Sequence, residues 1–342
     1  MVVPDAQVVD VVNVMPDRVV VNADAAGSDD ELSGNSFFRG VAERRFASPD
    51  FTSAELGAEA CRKLFDRTGV AAEDIDLIIY HCMFNDTFWP GIGPAVQSAV
   101  GATKAAVLQV DTSCCSWLSG LQTARAFIES GIHRNVVVLT VTNFVSRLPE
   151  FQKSRRSWVL GDGATATLVA PGERSVLAAY EVSHGENYGL LRFEPDVVEG
   201  VFKNYWERGC GPITVNFTKD RLERIRDNAM SLVPDAVAEA LSQAGLTTDE
   251  VALLITHQPN ESYLREWRER TGIGEPRAHD TLAKYGNLFA GSIPVTVADA
   301  LDEGLVKPGD VLALGTFANG GDLVSAMALR WSGTHSRYRQ GG

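Results

Sequence analysis

Two spacings of apolar residues alternate along this chain of 342 residues. Short apolar runs rich in β-branched residues read as buried strands, and apolar residues three and four apart read as amphipathic helices. In the first half the pattern predicts a helix over Ala54–Thr68, stopped before Gly69, and a strand over Ile75–Tyr80. A strand over Ala105–Val110 and a helix over Trp117–Ser130 follow, then strands over Val136–Val141 and Ala164–Ala170. The alternation begins again near Pro171-Gly172. It predicts a helix from Leu222 to Ala244, a strand Val251–Thr256, helices Asn260–Thr271 and Ile293–Glu303, and closing strands Val311–Leu314 and Ser325–Trp331. Both halves contain an acidic approach to an apolar strand that ends on a histidine: Glu73-Asp74-Ile75 leading to His81, and Asp249-Glu250-Val251 leading to His257. This weak repeat predicts an α/β protein whose two related halves, residues 1–172 and 173–342, pack together. Ala25–Gly34 is the most loop-like stretch.

Composition narrows the class. A hydrophobic share of 45% with 22% charged residues allows a sizeable core. No run approaches the length of a membrane span, and the N-terminal MVVPDAQVVD lacks the basic-then-apolar order of a signal. Five cysteines, an odd number with a vicinal pair, point to a reducing cytoplasm and away from a disulfide framework. No Cys/His spacing suits zinc. A net charge of −13 disfavours nucleic acid and anionic membrane as partners. An acidic ligand then needs a local basic patch, for which Arg39, Arg44 and Arg45, Lys153, Arg155 and Arg156, and Arg265, Arg268 and Arg270 are candidates, although most such side chains are solvated surface charge.

Candidate chemistry centres on Cys114, at the hinge between the strand-like run and the helix formed by Trp117, Leu118, Leu121, Ala124, Phe127 and Ile128. Near a helix N-terminus, unpaired N–H groups and the helix dipole favour the thiolate, which is the nucleophile. Cys115 is its rival. Three other segments are ordinary when taken singly. His257 ends a strand in Thr256-His257-Gln258-Pro259-Asn260, Asn287 sits in the turn Tyr285-Gly286-Asn287, and Gly320-Gly321 reads as a hairpin.

Taken in order, with Arg39-Gly40-Val41-Ala42-Glu43-Arg44-Arg45 and Gly161-Asp162-Gly163-Ala164, these segments resemble the ketoacyl synthase III family of the thiolase superfamily over nearly the whole chain. The resemblance implies a five-layer αβαβα thiolase-like fold, a homodimer, no metal or redox cofactor, and acyl-coenzyme A or an acyl carrier protein as partner. It implies that Cys114 accepts the acyl group, because the family's helix pattern aligns on Gly120, Leu121 and Gly131 and leaves Cys115-Ser116-Trp117 as the small-small-aromatic continuation. The backbone N–H groups of Cys114 and Gly320 would form the oxyanion hole. A malonyl-type extender would lose carbon dioxide, with His257 and Asn287 as donors to the enolate oxygen. A carboxylate in place of Asn287 would repel the enolate, so the asparagine favours carbon–carbon bond formation.

Arg44, Arg155, Arg156 and Arg265 are the candidate contacts for a carrier or coenzyme A. Trp89 is either an ordinary core or interface residue or, as the resemblance suggests, a bulky group reaching across a dimer into the partner's acyl tunnel. His81 and Asp86 are expected to border the pocket, Asp86 standing where relatives that make β-lactone precursors or hydroxymethylglutaryl products place a glutamate base. The chain departs from the family in Leu160, usually phenylalanine, in Ser262, often arginine, and in lacking a tryptophan for the adenine of coenzyme A among Asp29 to Phe38. These departures point to a specialised-metabolism enzyme with a carrier-bound or unusual acyl group. The expected reaction is acyl loading on Cys114 followed by decarboxylative Claisen condensation. Two alternatives remain: transfer of the acyl group to a hydroxyl or amine with His257 as base, and a non-catalytic partner subunit, which the intact Cys114, His257 and Asn287 oppose.

Overall fold

The computed structural model describes residues 4–22, 39–148, 152, 155–215 and 218–333, the side chains of 155 and 156 excepted. Strands β1 (Asp5–Val14), β2 (Arg18–Val21) and β3 (Glu43–Phe46) lead into helix α1 (Ser53–Thr68), β4 (Leu77–Cys82), α2 (Gly93–Val100), β5 (Ala106–Gln109), α3 (Ser116–Glu129), β6 (Val136–Thr142) and β7 (Gly163–Gly172). Then come β8 (Val176–Ser183), β9 (Phe193–Pro195), β10 (Ile213–Val215), α4 (Lys219–Gln243), β11 (Leu253–Thr256), α5 (Glu261–Thr271), α6 (Leu282–Tyr285), α7 (Ser292–Asp302), β12 (Val311–Ala318) and β13 (Leu323–Arg330).

Two sheets carry the fold. The five-stranded sheet runs β1-β7-β6-β4-β5 and the four-stranded sheet β11-β12-β13-β8. In the first, β4 is parallel to β5 and β6, while β7 is antiparallel to β6 and β1. In the second, β11 and β12 are parallel and the rest antiparallel. Every residue of β4, β6, β11 and β12 is buried, as continuous apolar strands require when both faces of a sheet are covered.

The covering follows from three apolar clusters. Leu56, Ala60 and Leu64 of α1 and Val96 of α2 pack on the outer face of the five-stranded sheet. Ile225, Val233 and Val237 of α4 and Leu264 and Trp267 of α5 cover the outer face of the four-stranded sheet. Between the sheets, Trp117, Leu118 and Leu121 of α3 share a cluster with Ile293, Val297 and Ala298 of α7. Helices, sheet, helices, sheet, helices is the five-layer αβαβα arrangement.

Strands of the first sheet come from residues 5 to 172 and those of the second from residues 176 to 330. The acidic repeat is a 3₁₀ turn, Ala72–Asp74 before β4 and Thr248–Glu250 before β11. Strand β1 was not expected. Its run holds Gln7 and Asp10, both buried, with Asp10 paired to Arg67 at 2.8 Å, so the apolar pattern breaks where the core is polar. Among the described residues no helix is long and apolar enough to cross a membrane.

Both central helices begin alike. Each is preceded by a 3₁₀ turn, Ser113–Cys115 before α3 and Phe289–Gly291 before α7, whose first residue is left-handed: Ser113 at φ 52° and Phe289 at φ 53°. A non-glycine residue there costs about 1–2 kcal/mol, so it persists only where its surroundings hold it. These two elbows meet at the site.

Candidate active site

Cys114, His257, Asn287 and Gly320 line one pocket. Each arrives from a different element: Cys114 from the elbow before α3, His257 from the end of β11, Asn287 from the elbow before α7, and Gly320 from the β12–β13 turn. The rest of the wall is mostly apolar, including Val159, Leu160, Leu191, Phe193, Phe289 and Phe317. Such a lining suits an acyl chain better than a charged substrate.

Burial pushes the Cys114 thiol up to about 12, with the Asp322 carboxylate adding. Desolvation thus opposes the helix terminus, which favours the thiolate. A neighbour has to take the proton. Cys115 is fully buried, with its sulfur 4.0 Å from the carbonyl of Leu323, and is not part of the pocket wall. His257 is neutral, since burial alone pushes its imidazole down to about 3, and its Nδ1 is buried without a partner among the described residues.

Asn287 is held through both its backbone and its side chain. Its N–H donates to Val159 C=O at 2.6 Å, and its C=O accepts from Gly161 N–H at 3.2 Å. This pairing needs the backbones close together: a Cβ on Gly161 would stand 2.5 Å from Tyr285 O. The side-chain Oδ1 accepts from Phe289 N–H at 2.8 Å and from Ser292 Oγ at 3.3 Å. With the oxygen occupied, Nδ2 is the end left for the pocket. Asp162, between Gly161 and Gly163, accepts from the N–H groups of Ala47, Phe144, Val145 and Ser146, so that motif staples three segments together around the site.

The turn after β12 has Asn319, Gly320 and Gly321 all at positive φ (45°, 87° and 110°). Among the described residues the N–H groups of Asn319 and Gly320 have no partner, and both residues line the pocket. Sequence reasoning passed over Asn319 and Ser113. An asparagine beside two glycines, a residue pair that tolerates the left-handed region, was the available signal.

Other expected positions fall elsewhere. Arg44 is buried rather than free for a carrier: its guanidinium donates to Asn22 Oδ1 and to the carbonyls of Ser157 and Leu160, and stacks 4.8 Å over Phe46. Burial lowers its pKa to about 10. Arg265 is exposed on α5 and does not line the pocket. The side chains of Arg155 and Arg156, Lys153, and the stretches Ala25–Gly34 and Asp29–Phe38 lie outside the described residues. Trp89 is 83% exposed, beside Phe88, whose ring lies 6.2 Å from that of Tyr205. Asp86 caps α1 through the N–H groups of Ser53 and Ala54 and pairs with Arg147 at 2.8 Å, which holds its carboxyl below the usual range and away from a base's role. His81 lies behind Cys114 instead of bordering the pocket. His279, Asp299 and Glu303 cluster, but both Asp299 oxygens are taken, by His279 (3.0 Å) and Lys284 (2.8 Å).

Comparison with known proteins meets this geometry. The family models described as 3-oxoacyl-[acyl-carrier-protein (ACP)] synthase III and its C-terminal part match residues 108–185 and 241–331, the stretches that hold Cys114, His257, Asn287 and Gly320. The β-ketoacyl-[acyl-carrier-protein] synthase III of Oceanobacillus iheyensis is 30% identical over 320 residues, 93% of this chain and 96% of that one. The chain belongs to the β-ketoacyl-[acyl-carrier-protein] synthase III family. It is an acyl-transferring condensing enzyme. The synthase III namesake from Symbiobacterium thermophilum is 29% identical over 333 residues, 93% of this chain and 95% of that one. Among solved structures, 3-oxoacyl-[acyl-carrier-protein] synthase III from Aquifex aeolicus superposes with a TM-score of 0.80 at 26% identity, covering 95% of this chain and all 100% of that one. The priming β-ketosynthase of the R1128 polyketide pathway has the same fold, with a TM-score of 0.83 at 24% identity over 96% of each chain.

Proposed function

We propose that this synthase III takes an acyl group from an acyl thioester onto Cys114 and extends it by decarboxylative condensation with a malonyl-type thioester. The orientation of Asn287 carries the reading. Its oxygen is occupied by Phe289 N–H and Ser292 Oγ, so the amide offers the pocket a donor. A fixed donor beside a neutral imidazole suits a developing enolate oxygen and does nothing for a base that must deprotonate an alcohol or amine.

In the loading step His257 accepts the thiol proton as Cys114 Sγ attacks the thioester carbonyl. The N–H groups of Cys114 and Gly320 hold the oxyanion, with the Asn319 N–H beside them. The carrier thiolate leaves and takes the proton back from the imidazolium, and Cys114 is acylated. In the second step the extender loses carbon dioxide, and its enolate oxygen accepts hydrogen bonds from His257 and from Asn287 Nδ2. The enolate carbon attacks the acyl-enzyme carbonyl, and the Cys114 thiolate departs and takes a proton from solvent.

The carrier is coenzyme A or an acyl carrier protein, as the names of the relatives suggest for the latter. The enzyme works in a reducing cytoplasm, in keeping with five free cysteines. It acts as a homodimer in which the exposed Phe88 and Trp89 of each subunit meet the other. Intact-protein mass measurement after incubation with a panel of acyl thioesters tests the reaction. A mass gain on Cys114 that clears when malonyl thioester is added, with a β-keto product, is expected. A gain that persists until a hydroxyl or amine acceptor is supplied would make the chain a simple acyltransferase.

A further inference from the structure

Every polar group of Ser113, the left-handed residue that precedes Cys114, is tied down. Its N–H donates to Asp111 Oδ1 (3.0 Å), its C=O accepts from Ser116 Oγ (2.7 Å), and its hydroxyl donates to Asn319 Oδ1 (2.9 Å) in the turn that carries Gly320. Two of these three ties lead to one buried side chain. His81, near the C-terminal end of β4 and 3% exposed, places Nδ1 3.1 Å from Ser116 Oγ and 3.5 Å from Asp111 Oδ1.

Counting protons gives the direction of the His81 bond. A hydroxyl has a single proton and two lone pairs. The Ser116 proton goes to the Ser113 carbonyl, and one lone pair receives the Thr112 N–H at 2.9 Å. The remaining lone pair faces His81 Nδ1, and the Asp111 carboxylate 3.5 Å from the same nitrogen can only accept, so both favour the imidazole proton on Nδ1. Nε2 then carries the lone pair, buried without a partner among the described residues. Burial keeps the ring neutral, with Asp111 and a hydrogen bond to the Val110 backbone opposing. A buried nitrogen without a partner is costly, and what accompanies it here is a fixed N–H donor aimed at the elbow.

We propose that His81 is a positioning residue for the nucleophile: its Nδ1–H orients Ser116 Oγ, which pins Ser113 in the left-handed region and thereby aims both Cys114 Sγ and, through Asn319, the oxyanion turn. His81 does not line the pocket and touches no substrate. The proposal rests on Cys114 being the acylated residue.

The test is the single-turnover rate of Cys114 acylation in the full chain, followed by intact mass, for His81→Asn, His81→Gln, His81→Ala, Ser116→Ala and the His81→Ala/Ser116→Ala double variant, with Tm measured for each. Asparagine keeps a donor where Nδ1 stands, and glutamine carries it out to the place of Nε2. Because misplacing a reacting group by about 1 Å costs about 10²-fold, His81→Ala and His81→Gln should load about 10²-fold more slowly, while His81→Asn stays within about threefold of the parent. The double variant should be no slower than the slower single one, since both cut the same link. Asparagine no better than glutamine, with rates that follow Tm across the series, overturns the proposal, as do additive losses in the double variant. If the alanine and glutamine variants do not fold, a slow Ser116→Ala beside a fast His81→Asn supports it, and equal rates for the two overturn it. Normal loading of the parent with unaffected variants sinks the positioning role alone, whereas a parent never acylated at Cys114 removes the functional reading as well.

Discussion

The elbow before α3 and the elbow before α7 have the same backbone and the same two local hydrogen bonds, and differ in what surrounds them. Each starts a buried helix from a left-handed residue, Ser113 or Phe289, in a 3₁₀ turn. In the first, Asp111 and Ser116 make the local bonds, and the remote ties are the Ser113 hydroxyl to Asn319 and His81 to Ser116. In the second, Asn287 Oδ1 accepts from Phe289 N–H and Ser292 Oγ from Leu288 N–H, and the remote ties are backbone pairing of Asn287 with Val159 and Gly161 and a bond from Thr142 to the Leu288 carbonyl. It also packs against aromatic rings, Phe289 lying 5.2 Å from Phe144 and 5.9 Å from Phe193. The difference matches the tasks. A nucleophile has to be aimed while its side chain stays free, whereas an enolate donor is best fixed by its own side chain.

Substitutions at the first elbow should break this comparison most severely. Cys114→Ala should abolish acyl loading by intact mass, and Cys115→Ala should leave it largely intact, because the Cys115 sulfur faces Leu323 and not the pocket. The reverse outcome would move the nucleophile by one residue and dissolve the parallel between the elbows.

The protonation state of the first elbow sharpens the contrast. With the thiol pushed up to about 12 and His257 down to about 3, neither titrates near neutrality. The thiolate is the alkylating species and its share rises with pH below the pKa, so alkylation of Cys114 by iodoacetamide should climb roughly tenfold per unit from about pH 6 to about pH 9 without levelling. A plateau near neutrality would mean that the proton already rests on His257.

The smallest effect is expected at Ser292. Ser292→Ala removes one of two donors to Asn287 Oδ1 and the acceptor for Leu288 N–H, at a cost of about 1 kcal/mol. Condensation should slow a few-fold and loading should be unchanged, since Phe289 N–H still fixes the amide. A slowed loading step, read by intact mass, would show that the second elbow also aims the nucleophile.

Much of this was legible in the sequence, and what was not has physical causes. Strands β4, β6 and β11 and helices α1, α3, α5 and α7 follow from apolar spacing, because both faces of a covered strand and one face of a packed helix are apolar. Strand β1 was illegible because Gln7 and Asp10 face inward, and β8 because VLAAYEVS mixes buried and half-exposed positions. Cys114, His257, Asn287 and Gly320 could be read as a set only through their order along the chain. Their environment could not be read at all. That burial raises the Cys114 thiol, that Arg44 spends its guanidinium on carbonyls, and that His81 backs the elbow all depend on which residues fold over them.

The most direct test of the central claim is release of labelled carbon dioxide from malonyl thioester by the pre-acylated parent and by Asn287→Asp, with acyl loading measured on the same samples. The account predicts that decarboxylation falls by about two orders of magnitude, as for loss of one oxyanion donor, while loading is spared. Equal damage to both steps, or undiminished decarboxylation, would contradict the assignment of Asn287 to the enolate and with it the division of labour between the two elbows.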